Sequence, residues 1–264
     1  MGEKEASQVG SKDGVLRAIA GIIESRPHLR DVAILYEKAV EFDKIVKTML
    51  KAFPVRGAAY PAELIEPVFE HFSLIFDLPS DSLEPLKDAM VLGRIDFSLL
   101  PLNEVPAFSL PYHEEELMTM LFLMSRPYFL RLRELFKGND NFGEDGRCPV
   151  CKSTPSTASI GEDNKKRLYC SFCGLDGYYK RLSCPACLNQ DASAFNIITA
   201  DEEKGFRVDA CDACMSYIKT ANAGIINELG PDLADIVSLP LDVIAQGRGY
   251  RRNSPNPVGI SMMV

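Results

Sequence analysis

The chain of 264 residues has no tryptophan and only three histidines, and none of its eight cysteines precedes Cys148. It also lacks any apolar run near the ~20 residues that a membrane span needs. The longest such stretch, Leu117 to Met124, is interrupted by Thr119 and followed by Arg126 and Pro127. Met1 to Asp13 are polar and of mixed charge, and no apolar segment of signal type follows them. The expectation is a cytoplasmic protein without an export signal, in a compartment that keeps thiols reduced. Missing too are a glycine-rich phosphate loop, a Ser/His/Asp arrangement and an open metal site bearing histidine. No catalytic constellation remains, so a non-enzyme without a small-molecule substrate is expected.

Charge is unevenly spread. Met1 to Gly146 carries 16 Lys/Arg against 24 Asp/Glu, whereas Arg147 to Val264 carries 13 of each. An acidic first half is a poor partner for polyanions. Basic spots occur in the second half at Lys165-Lys166-Arg167, Lys180-Arg181 and Arg248…Arg251-Arg252, with Tyr178 and Tyr179 nearby. Basic residues beside aromatics suit single-stranded nucleic acid. The balanced total favours ordinary solvated charge instead, and no nucleic-acid partner is expected.

What the sequence does have is four Cys-x-x-Cys pairs: Cys148/Cys151, Cys170/Cys173, Cys184/Cys187 and Cys211/Cys214. Two thiolates three positions apart on a tight turn can face one ion, and two such turns make a tetrahedral S₄ site. The 18 residues between Cys151 and Cys170 match the spacing of such sites. The 23 between Cys187 and Cys211 are still hairpin-sized, and only 10 link Cys173 to Cys184. Sequential pairing of the knuckles is therefore preferred, with a crossed pairing (first with third, second with fourth) as the alternative. Pro149 and Pro185 stiffen their turns, and Gly174 supplies the residue for which a positive φ is free of strain. The other pairs are followed by Lys152, Leu188 and Met215. Disulfides would need an oxidising compartment, and Cys184-Pro-Ala-Cys187 resembles a redox pair, but four pairs in succession point to coordination. S₄ suits iron or zinc alike. His28, His71 and His113 all precede the cysteines and read as surface or packed residues.

The fold class expected is α+β. Residues 1–140 read as a helical domain. Its stripes run from Val32 to Phe53, ended by Pro54, and from Leu64 to Phe76, ended by Pro79. A third runs from Glu114 to about Phe136, with Pro127 expected to kink or split it. Glu114, Glu115 and Glu116 read as a solvated helix start rather than paired catalytic carboxylates. Lys137 to Arg147 is rich in turn formers and reads as a linker. Two small tandem four-cysteine metal modules follow, at 147–183 and 184–222, forming an imperfect repeat. Thr157–Ile160 with Arg167–Cys170, and Phe195–Thr199 with Phe206–Ala210, read as hairpins flanked by knuckles. Tyr178 to Leu182 reads as a further strand. A helical tail, 223–264, should be divided by Pro240 and become irregular from Gly247. Modules this small need a staple, so metal binding should be part of their folding.

The second half resembles the FdhE family, the formate dehydrogenase accessory proteins. The resemblance lies in Cys148-Pro-Val-Cys151 with Pro155 beyond it, Arg167-Leu-Tyr-Cys-Ser-Phe-Cys-Gly174, and Arg181 ahead of Cys184-Pro-Ala-Cys-Leu-Asn189. It continues in Ala210-Cys-Asp-Ala-Cys-Met-Ser-Tyr-Ile-Lys219 and in the ordered tail Asp232, Leu233, Ala234, Asp235, Leu241, Asp242, Gly249, Tyr250 and Asn256. The resemblance implies a helical domain followed by two rubredoxin-like metal modules holding iron or zinc, structural or redox-sensing. It implies a role in assembling or activating formate dehydrogenase by binding its catalytic subunit. A rubredoxin-like electron carrier and a zinc-ribbon nucleic-acid binder are the competing functions. The cleft between the helical and metal-bearing parts is the expected docking surface.

Overall fold

The structure is a computed structural model that describes residues 12–55, 57–104 and 109–262. Met1 to Ser11, and Met263 and Val264 of the expected irregular tail, lie outside the described residues.

Among the described residues, five α-helices fill the first half: α1 (Lys12–Ser25), α2 (Arg30–Leu50), α3 (Ala62–Phe76), α4 (Ser80–Val91) and α5 (Glu114–Leu135). The sequence reading anticipated α2, α3 and α5. The other two carry short stripes, Ile19 and Ile22 in α1 and Leu83, Leu86, Ala89 and Met90 in α4, too brief to stand out as a period. Helix α5 is not split by Pro127 and runs through it unbroken. Phe42 and Phe72 meet edge to face at 5.2 Å between α2 and α3. Glu114, Glu115 and Glu116 are all exposed in the first turn of α5, where carboxylates oppose the positive end of the helix dipole.

The second half forms one seven-stranded sheet. Its strands are β1 (Thr157–Ile160), β2 (Lys166–Tyr169), β3 (Asp176–Tyr179), β4 (Phe195–Ile198), β5 (Phe206–Cys211), β6 (Ser216–Asn222) and β7 (Arg251–Arg252). The order is β3-β2-β1-β6-β5-β4, with β7 beside β6. Both expected hairpins are present: β1 pairs antiparallel with β2, and β4 with β5. Strand β3 begins two residues earlier than expected, at Asp176, because it pairs with β2 in register Tyr169↔Asp176. Strand β6 was not anticipated. It pairs antiparallel with β5 and parallel with β1, joining the two cysteine-bearing halves into one layer.

Helices α6 (Ala223–Val237) and α7 (Leu239–Gly247) follow. Pro240 does divide the helical tail, since it sits in the first turn of α7. A second break, at Gly230 (φ 77°) before Pro231, lies inside α6. The stretch after Gly247 is mostly irregular yet well packed. Ser254, Asn256 and Val258 are buried, and the Asn256 carboxamide oxygen accepts from the amides of Val258 and Ile260.

Where α5 meets the first two knuckles there is no cleft. Phe172, between Cys170 and Cys173, lies 4.9 Å from Phe122 and 5.5 Å from Phe129, ring centre to ring centre. The expected docking cleft is at this place a packed core, continuous from the helices to the first cysteine cluster.

Buried charges hold the other side. Lys219 of β6 contacts Asp235 of α6 at 2.7 Å and also Asp242 of α7. Arg252 of β7 contacts the same two carboxylates, reaching Asp242 at 3.1 Å. All four side chains are at most 4 % exposed, so the charges are balanced two against two away from water. Arg126 of α5 contacts Asp232 and, at 3.5 Å, Asp43. Burial pushes the Asp43 carboxyl up to about 6. Removing one member of a buried ion network strands its partners. Lys219→Met should therefore cost ~3–5 kcal/mol in urea unfolding, and a loss below ~1 kcal/mol would show the network to be dispensable.

Candidate metal centres

The four Cys-x-x-Cys turns share one backbone design. The amide of Cys148 donates to the Ser153 carbonyl at 2.8 Å, that of Cys170 to Leu175 at 2.9 Å and that of Cys184 to Asn189 at 2.9 Å. The amides of Lys152, Gly174 and Leu188 return to the carbonyls of Cys148, Cys170 and Cys184 at 2.9–3.0 Å. In the fourth turn Cys211 and Ser216 are the last register pair of the β5–β6 ladder. The residue after each second cysteine is left-handed: Lys152 at φ 67°, Gly174 at 69°, Leu188 at 63° and Met215 at 55°. Only Gly174 adopts this backbone without strain, and the other three hold it at a cost of ~1–2 kcal/mol each. That cost, met at three separate turns, indicates that the turn geometry is imposed by what the sulfurs must do.

The structure brings the first two pairs into one cluster and the last two into another. In each cluster all four Sγ atoms lie within 4.8 Å of one another. Cys148 to Cys173 and Cys151 to Cys170 are both 3.4 Å apart, Cys184 to Cys214 is 3.8 Å and Cys187 to Cys211 is 3.7 Å. Thiolates placed ~2.3 Å from a tetrahedral ion stand ~3.8 Å apart. A disulfide would need ~2.05 Å, and all eight cysteines are free. The donor set thus fits one tetrahedral ion per cluster. Either cluster could hold iron or zinc, since four thiolates suit both. No histidine belongs to a cluster: His28 and His113 are exposed and His71 is half-buried.

The clusters differ in setting. Every cysteine of the first is buried and belongs to the core that α5 completes. In the second, Cys187 is exposed and Cys214 half-buried. Ser216, quoted in the Ala210–Lys219 stretch but given no role by the sequence, shares a hydrogen bond with the Cys214 sulfur at 2.9 Å. Its signal was only its place opposite Cys211 in the ladder.

Four thiols this close cannot all ionise without a cation. Hydrogen bonds from Cys151, Cys170 and Cys173 favour the Cys148 thiolate, while burial pushes Cys151 and Cys170 up. In the second cluster burial pushes Cys211 up to about 12. For Cys214 burial is outweighed, with the Ser216 hydroxyl foremost in favouring its thiolate. Loading an ion would therefore displace protons from most of the sulfurs.

Two of the basic residues noted in the sequence are paired locally. Lys165 pairs with Asp163 at 3.1 Å, and Arg167 pairs with Asp176 at 2.7 Å while lying 4.7 Å from the Tyr178 ring centre. Lys166 and Arg252 are buried.

A protein with a helical layer, one mixed sheet and two tetracysteine centres is the class these features define. Comparison with known proteins narrows it. Residues 182–258 match the family described as FdhE, C-terminal domain. A Protein FdhE homolog of Aquifex aeolicus (strain VF5) is 33% identical over 116 residues, which is 42% of this chain and 41% of that protein. A second, from Stutzerimonas stutzeri (strain A1501), is 32% identical over 117 residues, 41% of this chain and 37% of that protein. Protein FdhE of Escherichia coli (strain K12) is 27% identical over 196 residues, 70% of this chain and 58% of that protein. The matched stretches thus span about two-fifths to three-fifths of these relatives. The crystal structure of the FdhE protein from Pseudomonas aeruginosa superimposes with a TM-score of 0.56 at 18% identity, covering 97% of both chains, and so shares the fold. The chain is thus similar to FdhE proteins, most clearly over the C-terminal residues 182–258. Among the described residues no helix is long and apolar enough to cross a membrane.

Stripping metal with a strong chelator should collapse the sheet, because S₄ sites contribute on the order of 10–16 kcal/mol in small modules; unchanged strand circular dichroism and an unchanged thermal midpoint would reject this. Leu188→Gly should raise stability by up to ~1 kcal/mol by relieving the left-handed strain. Gly174→Ala should lower it by a similar amount, both read from urea midpoints.

Proposed function

We propose that this protein is a cytoplasmic, non-catalytic accessory factor that binds the catalytic subunit of formate dehydrogenase and assists its assembly or activation. Similarity to FdhE proteins, with the FdhE C-terminal domain match over residues 182–258, carries the proposal. It is supported by the chemistry of the clusters, for an ion held by four cysteines has no open position for a substrate. We assign Cys148, Cys151, Cys170 and Cys173 to one iron or zinc ion, and Cys184, Cys187, Cys211 and Cys214 to the other. When bound, the ions supply cross-links within the sheet and, if they are iron, a redox-sensing capacity. Client recognition then depends on a folded C-terminal half.

The exposed Cys187 favours one second reading, a rubredoxin-like electron carrier, because a centre open to solvent can exchange electrons with a partner. Protein purified without oxygen separates the two. A red chromophore bleached by reductant supports electron transfer, and colourless protein with stoichiometric zinc removes it. The accessory role itself predicts that the tagged chain co-purifies with the formate dehydrogenase catalytic subunit. Recovery of no subunit, both with and without oxygen, overturns it.

A further inference from the structure

Four lysine or arginine side chains among the described residues are buried: Arg126, Lys166, Lys219 and Arg252. Three of them sit in the ion networks described above. Lys166, 4 % exposed, is the exception: its ammonium forms no ion pair with a described carboxylate. The carboxylate that bears on it most, Asp209, is already engaged, accepting from Arg207 at 2.8 Å and from Thr220 at 2.9 Å. An unpaired buried ammonium is costly, and burial here disfavours the charged form.

Its position suggests what it is for. Lys166 lines a small cavity of about 20 Å³ together with Cys184, Cys211, Ser216 and Asp209. Two cysteines of the second cluster thus share the cavity lining with the lysine, and the charge of Cys184 bears on its ammonium. A divalent ion held by four thiolates leaves a net charge of about −2 on the centre. The first cluster is wrapped by Phe122, Phe129 and Phe172 instead.

We propose that Lys166 is the counter-ion of the second tetracysteine centre, offsetting the negative charge that Cys184, Cys187, Cys211 and Cys214 acquire when they hold a divalent ion. The proposal rests on the reading that these cysteines bind metal. Its ammonium lowers the energy of the loaded centre through the low-dielectric interior, where one charge is worth far more than at the surface. No cysteine of the first cluster lines this cavity, so the two sites should differ in retention for a reason outside their ligands.

The test uses the full chain loaded with cadmium, observed by cadmium NMR during titration with EDTA. Two tetrathiolate resonances are expected, the second assigned by its loss in Cys187→Ser. Lys166→Met should release cadmium from the second centre at about tenfold lower EDTA, leave the first centre unchanged, and be rescued by Lys166→Arg. A merely structural role makes a different forecast. Replacing an unpaired buried lysine with an apolar side chain of similar length would then stabilise the protein and leave both resonances at their wild-type EDTA midpoints. Equal retention in wild type and Lys166→Met, or equal losses from both centres that Lys166→Arg does not rescue, overturns the counter-ion role. A wild-type protein showing neither resonance overturns the metal-binding reading and the counter-ion role with it.

Discussion

Sulfur position in this protein is tied to a left-handed backbone conformation one residue downstream. Each second cysteine is followed by a left-handed residue, and at Lys152, Leu188 and Met215 that residue has a side chain that resists the conformation. The turn so formed closes by hydrogen bonds between amides and carbonyls of the same short segment. It leaves both thiols of a pair free to point one way. Two turns face each other in each cluster, and sulfur spacings of 3.4–3.8 Å result. A separate apolar core between the sheet, α6, α7 and α1 packs beside these two points.

The points are not set in independent modules. Strand β6 lies between β1 and β5, so one strand contacts the hairpin of each cluster. The same strand carries Lys219, which holds α6 and α7 through Asp235 and Asp242. On the opposite side Phe172 locks the first cluster onto α5. The first centre is thereby enclosed and rigidly backed, and the second faces outward with Cys187 in solvent. One family of turns has produced two different environments.

Much of this was legible in the amino-acid sequence, for identifiable reasons. Cysteine spacing carried the grouping of the eight sulfurs, since a 10-residue link between Cys173 and Cys184 leaves little room to interleave the clusters. Apolar periodicity located α2, α3 and α5, and turn formers located both hairpins. What escaped was a third strand beside the second hairpin and the burial of charged residues. Ser216 to Asn222 completes a hairpin with its neighbour β5 but becomes a central strand only through β1, far away in the chain, and one of its residues is the buried Lys219. Lys166 was hidden in the same way, inside the run Lys165-Lys166-Arg167 that looked like solvated charge. Its flanking residues do stay nearer the surface, paired with Asp163 and Asp176. Pro127, expected to kink or split its helix, does not split it, because a proline inside a long helix removes one hydrogen bond without ending it when the surrounding packing is strong.

The parallel pairing of β1 with β6 has a consequence for synthesis. Thr157 to Ile160 leaves the ribosome well before Ser216 to Asn222 does, so the first hairpin spends that interval with one side of β1 unpaired. An uncovered strand edge of this kind invites pairing with other chains. The nascent protein must keep that edge occupied or shielded until its last cysteine pair has emerged, and the arrival of β6 seals the edge and completes the second sulfur cluster within the same few residues.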